Sequence, residues 1–157
     1  MAEVMHAKDA IHGALGEAYV TIDGQRYNFA QLINIEARME KTKTTVPILG
    51  KTGRGNKATG WEGTGTATFH FNTSIFRELL YRYKETGEDI YFDIQIVNED
   101  KGSSAGRQVI ILKDCNLDGG IIALLDADAE YLEDEFDFTF EDWEMPEKFT
   151  PLDVMSQ

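Results

Sequence analysis

The sequence is poor in the features that mark secreted, membrane-spanning or metal-dependent proteins. It has one cysteine, Cys115, so no internal disulfide can form. Leu112 and Leu117 nearby place that thiol at a strand end rather than in a reactive site. There are three histidines, His6, His12 and His70, and none has a second ligand at helical or hairpin spacing, so they read as ordinary exposed side chains. Positive charge is scarce: 15 basic residues stand against 28 acidic ones, a formal net charge of -13. That balance argues against a free-standing nucleic-acid binder, whose affinity comes mostly from neutralising phosphate. No apolar run approaches a membrane span, and the opening MAEVMHAKDAIHGALG lacks the basic and apolar regions of a signal peptide. The expectation is a soluble protein made in the cytoplasm, without membrane anchoring.

Catalytic and cofactor motifs fail on inspection. The stretch LGKTGRGNKATG contains Gly50-Lys51-Thr52, but a Walker loop needs a glycine five residues before Gly50, and position 45 is Thr. Gly53-x-Gly55-x-x-Ala58 has dinucleotide-type spacing, yet the residues that follow are Thr59-Gly60-Trp61-Glu62-Gly63-Thr64-Gly65, which do not open a helix. Asp126-x-Asp128-x-Glu130 resembles the start of a calcium loop, but the sixth position is Tyr131 rather than Gly and the twelfth is Asp137 rather than Glu. Carboxylates between Glu133 and Glu144 are too many for any acid pair to be distinctive, and no serine or cysteine has a nearby base. No cofactor, no metal and no enzymatic activity are expected.

What remains is structural patterning. At 157 residues and 42% hydrophobic content, the chain suits one domain with a real core. Residues 1–16 read as an arm, and 17–142 as a mainly β domain. Glu17–Ile22, Asp23-Gly24 and Gln25–Phe29 form a hairpin signal. Residues 33–41 alternate, with Ile33, Ile35, Ala37 and Met39 on one face and Asn34, Glu36, Arg38 and Glu40 on the other; the alternation resumes over 62–70, and the two segments are expected to pair. A helix is expected over 73–86, with Ile75, Phe76, Leu79, Leu80 and Tyr83 as its buried stripe and Gly87 closing it. Strands follow at 90–97 and 107–117, the latter ending at Asp118-Gly119-Gly120, and then a hairpin made of 121–127 and 130–142. Pro146 and Pro151 are expected to keep the tail 143–157 irregular. Antiparallel pairing in a β-sandwich or barrel is the natural way to bury so many half-apolar strands.

One segment stands apart. From Lys41 to Gly60 the chain carries Lys41, Lys43, Lys51, Arg54 and Lys57 and no acid. Meanwhile three strands present polar faces rich in carboxylates. Opposite charges segregated in this way suit a subunit that docks against copies of itself.

The order and texture of the segments GEAYVTIDG, INIEARMEKTKTTVPILGKT, GWEGTGTATFHF, NTSIFRELLYRYKETGED and DAEYLEDEFDFTFEDWEMPEKF resemble the tail tube proteins of contractile phage tails and phage-tail-like particles, in particular the PBSX-type (XkdM-like) branch. The resemblance spans roughly residues 13–149. It implies a structural subunit of an inner tail tube: hexameric rings with a continuous β-barrel wall, stacked through a long hairpin loop. On that reading 41–60 is an extended stacking loop, with Lys43, Val46, Ile48, Leu49, Lys51, Arg54 and Lys57 as its contact residues. Glu36, Arg38, Glu40, Glu62, Glu133, Glu135, Asp137 and Glu141 would face the lumen. Implied partners are identical subunits, sheath, tape-measure, baseplate and terminator proteins, with DNA as a non-specific passing cargo if the particle is a phage. Assembly would take place in the bacterial host cytoplasm, and the finished protein would sit in a virion tail or tail-like particle. A tube subunit of a related contractile secretion system and a monomeric ligand-binding β-barrel are the alternatives.

Overall fold

The computed structural model of the chain describes residues 4–156. It is built almost wholly of antiparallel strands with one α-helix, and it divides into two compact units.

The first unit comprises residues up to 31, 91–115 and 142 onward. Its strands are β1 (Gly16–Ile22), β2 (Gln25–Asn28), β5 (Phe92–Glu99), the first part of β6 (Arg107–Gly120) and β8 (Asp142–Glu147). They pair in the order β2-β1-β5-β6-β8. Asp23 and Gly24 both have positive φ, the backbone of a two-residue hairpin turn, so β1 returns as β2 as the Asp-Gly signal requires. Ala18, Val20, Ile94 and Leu112 are buried at the centre, and the buried Cys115 thiol donates to the Leu112 carbonyl at 3.7 Å. Burial, with the nearby Asp93 and Asp114 charges adding to it, pushes that thiol's pKa up to about 12. β8 corrects the expectation of an irregular tail. Pro146 lies within it because β8 is an edge strand with a register irregularity opposite Val109–Ile111, where a missing N–H breaks no ladder bond.

The second unit comprises 32–90 and 116–141. Its strands are β3 (Leu32–Val46), β4 (Gly55–His70), the end of β6 and β7 (Glu133–Phe140), with the helix α1 (Ile75–Thr86). They pair in the order β6-β7-β4-β3. Neither sheet closes into a barrel among the described residues. The predicted β3–β4 pairing is present, but Ile33 is a bulge residue between the Leu32–Phe69 and Asn34–Thr68 pairs, so it is 46% exposed instead of joining the apolar face. Phe69, Phe136 and Phe76 form the core, with ring centroids 5.5–5.6 Å apart.

The glycines of GWEGTGT have a packing role. Gly63 and Gly65 lie directly opposite Phe140 and Phe138. A Cβ on Gly65 would meet the Phe138 ring at 2.4 Å and the Glu36 carbonyl oxygen at 2.9 Å, so the rings lie over bare backbone.

Two further boundaries and one residue of the helical stripe differ from expectation. β6 runs on through a bulge at Asp118 to Gly120. Residues 121–127 form no strand: the end of β6 already pairs Phe136–Thr139 along the β7 edge they would have to share, and beyond Gly120 the chain leaves that edge. In α1, Phe76 and Leu79 are buried and Gly87 closes the helix at φ 73°, but Tyr83 is 56% exposed.

Candidate functional site

Two surfaces of the second unit collect the chemistry. The first is the polar face of the β3–β4–β7 sheet. In the ladder Glu36 stands opposite Thr66, which stands opposite Asp137; Arg38 is opposite Thr64, Thr68 opposite Glu135, His70 opposite Glu133, and Glu40 opposite Glu62. Because cross-strand partners share a face, Glu36, Arg38, Glu40, Glu62, Glu133, Glu135 and Asp137 lie together, all exposed, and Glu141 follows at the end of β7. Arg38 Nε donates to Glu36, and that bond, followed by the Glu36 charge, raises the guanidinium pKa further. It is the single cation among these acids. Glu40 and Glu62 stand directly opposite each other, a like-charge pair that weakens an isolated sheet.

Two acids escape a reading of the sequence. Asp118, the bulge residue of β6, joins Glu36, Arg38 and Asp137 around a shallow groove floored by Gly65 and Phe138. A bulge re-aims a side chain without altering composition, so no sequence signal marks it. Asp134 is fully buried and paired with Arg77, whose guanidinium also donates to the Thr73 and Ile121 carbonyls and lies over the Phe71 ring at 4.3 Å. A signal existed here: Asp134 shares the parity of Phe136, Phe138 and Phe140.

The second surface is the segment 41–60. It is a two-stranded ribbon rather than an open loop, since β3 and β4 remain paired as far as Val46–Gly55. A bulge at Thr59 interrupts the ladder, and the Thr59 hydroxyl donates to the Thr42 carbonyl at 3.3 Å. The tip is a turn in which the Lys51 N–H donates to the Ile48 carbonyl at 3.2 Å and Gly50 takes φ 83°. Ile48-Leu49-Gly50-Lys51 is therefore a reverse turn of type II, with Gly50 at the third position, where positive φ is required. The side chains of Lys43, Lys51, Arg54 and Lys57 are exposed, and so are Val46 (37%), Ile48 (41%) and Leu49 (104%). A fully exposed leucine at the end of a cationic ribbon has no role in the fold of its own chain.

No group of three or more His, Cys, Asp or Glu side chains is placed to hold a metal among the described residues, and no helix there is long and apolar enough to cross a membrane.

Residues 3–147 match the family model described as phage tail tube protein. The chain belongs to the phage tail tube family. Its relative in Bacillus subtilis (strain 168), the phage-like element PBSX protein XkdM, is 42% identical over 146 residues, covering 93% of this chain and 97% of that protein. The fold is shared more widely than the sequence. A chain of the PVC extracellular contractile injection system sheath-tube complex superposes with a TM-score of 0.64 at 9% identity, covering 88% of this chain and 93% of the other. The SPP1 tail tube gives 0.61 at 12% identity, with coverages of 93% and 83%. The tail tube family is one of structural subunits, not enzymes, and its fold extends to contractile injection systems.

Proposed function

We propose that this tail tube subunit assembles into hexameric rings, that the rings stack into a tube, and that the acidic β3–β4–β7 face lines the channel through which DNA passes. The observation that carries the reading is the segregation on that face of seven carboxylates against one guanidinium. Per subunit this is a net of about six negative charges at neutral pH, or about thirty-six per six-fold ring. Such a wall repels phosphate, whereas a basic wall would release counterions and hold the DNA. The second unit's sheet supports ring formation, because β3 is an edge strand that pairs only with β4 among the described residues and can pair with a neighbouring copy. The ribbon is the stacking element. The segments before β1 and after β8 would act as arms flanking the tube domain, since β8 holds the first part of the 143–157 tail in a sheet. Sheath, tape-measure, baseplate and terminator proteins are the expected partners, and assembly would occur in the host cytoplasm.

A density map of the assembled particle tests this directly. Glu133, Glu135 and Asp137 should line the bore; finding them on the outer surface would reject the channel assignment while leaving the tube. Replacing all three with Lys should leave tubes intact and make them retain DNA at low salt.

A further inference from the structure

The ribbon and the segment joining β6 to β7 lie at opposite ends of one sheet. β3 and β4 run past the Met39–Gly63 pair into the ribbon, whose far point is the turn at Ile48–Lys51. At the other end of β4, His70 stands opposite Glu133, and the Phe71 N–H donates to the Leu132 carbonyl at 3.1 Å, which anchors segment 121–132 there. This segment has no strand partner and leaves Ile122 75% and Leu125 97% exposed. Asp126, Asp128 and Glu130, all exposed, follow immediately, with the Asp126 carboxylate accepting the Asp128 N–H at 3.1 Å. Beside Ile122 is a hollow of about 540 Å³ lined by Leu80 and Tyr81 of α1. Its cations are matched within the chain: Arg77 with Asp134, Arg82 with Glu88 at 3.8 Å, and Lys84 with Glu85 at 2.5 Å.

We propose that segment 121–132 is the landing site for the ribbon tip of a second copy, with Ile48 and Leu49 against Ile122 and Leu125, and Lys51 and Arg54 facing Asp126, Asp128 and Glu130. The proposal rests on the tube-subunit reading and names the contact that stacking would use. Both halves of the match are present in one chain: an apolar tip ringed by cations and an apolar segment ringed by acids. Their placement at opposite ends of the sheet makes the contact heterologous, so it repeats from copy to copy instead of closing. The acidic sheet face competes for the cations, but between its acids it offers Thr64, Thr66 and Thr68, and the one ring in its groove, Phe138, is buried and leaves Leu49 little to pack against.

Two charge-reversal variants test the contact by sedimentation at low salt, one carrying K51E/R54E/K57E and the other D126K/D128K/E130K. All six positions are exposed, and unchanged circular dichroism checks the fold. Each variant alone should need at least about ten-fold more protein to associate than the unaltered chain, and an equimolar mixture should recover association through the reversed pair. Association of the 126/128/130 variant at the unaltered concentration, or a mixture no better than its parts, overturns the landing site. Electron microscopy separates the two readings. Tubes from the 126/128/130 variant would remove this contact and keep the tube. Charge-dependent chains without rings would keep the contact and remove the tube. Monomers in all samples at every soluble concentration would overturn the contact.

Discussion

The two ends of the β3–β4 pair are made from the same strands and the same kind of ladder, yet they are held by different forces. Toward His70, every second pair of the ladder is buried: Gly63 under Phe140, Gly65 under Phe138, and Ala67 beside Phe136, with Phe69 stacked on Phe136. Beyond Lys41 the ladder continues to Val46–Gly55, but the side chains are exposed and the pairing rests mainly on backbone hydrogen bonds. An isolated two-stranded ribbon is marginal in water. A segment that extends for so many residues without burying its own apolar tip is shaped for another surface. The first end encodes the fold, and the second encodes the assembly.

The largest expected break in that contrast is at Asp134, on the packed side. Asp134→Ala leaves the Arg77 guanidinium, whose side chain is 15% exposed, without its counter-ion and should cost about 3–5 kcal/mol, read as a lower urea midpoint. Replacing both partners together, as R77M/D134L, should cost far less, because no buried charge is stranded. Next comes Gly65→Ala, whose new methyl would press on both the Phe138 ring and the Glu36 carbonyl and should destabilise by about 1–3 kcal/mol. The matching change on the ribbon, Gly60→Ala, meets nothing within 4 Å and should stay within about 0.5 kcal/mol. Equal losses at Gly65 and Gly60 would erase the distinction between the two ends.

The alternation of polar and apolar residues made the β3–β4–β7 sheet and its acidic face legible in advance, because period two survives wherever a strand buries one side, as Phe136, Phe138 and Phe140 do. It did not show what breaks the period. The bulges at Ile33, Thr59 and Asp118 are choices of ladder register made by tertiary packing, and they decide whether Ile33 is exposed and where Asp118 points. Segment 121–127 departs from its strand-like pattern for a related reason. Its apolar residues fit a strand, but a strand needs a vacant edge, and that depends on which neighbours β7 already has. The ribbon's glycines and cations were visible from the sequence. Its continuous pairing to Val46 was not, because Thr42–Thr45 and Asn56–Thr59 alternate no apolar residues.

The smallest expected effect on stability carries the most information about the ribbon. Leu49→Ser removes a side chain that is 104% exposed and should change the unfolding free energy by less than about 0.5 kcal/mol. The K51E/R54E/K57E variant, also confined to exposed positions, should be equally silent in a urea melt. Association should tell the two apart. If the tip is seated by an apolar contact and guided by charge, Leu49→Ser raises the protein concentration needed for association by a similar factor at every ionic strength. Removing the cations changes the salt response itself, because exposed charges act over a Debye length of only about 8 Å at physiological ionic strength. The measurement is the concentration for half-association at two or three salt levels. Parallel salt responses for the unaltered chain and Leu49→Ser, with the response lost or inverted for the charge variant, would assign the two functions to different residues of one turn. A charge variant whose salt response parallels that of the unaltered chain would show that the cations take no part in docking and leave the apolar tip as its sole determinant.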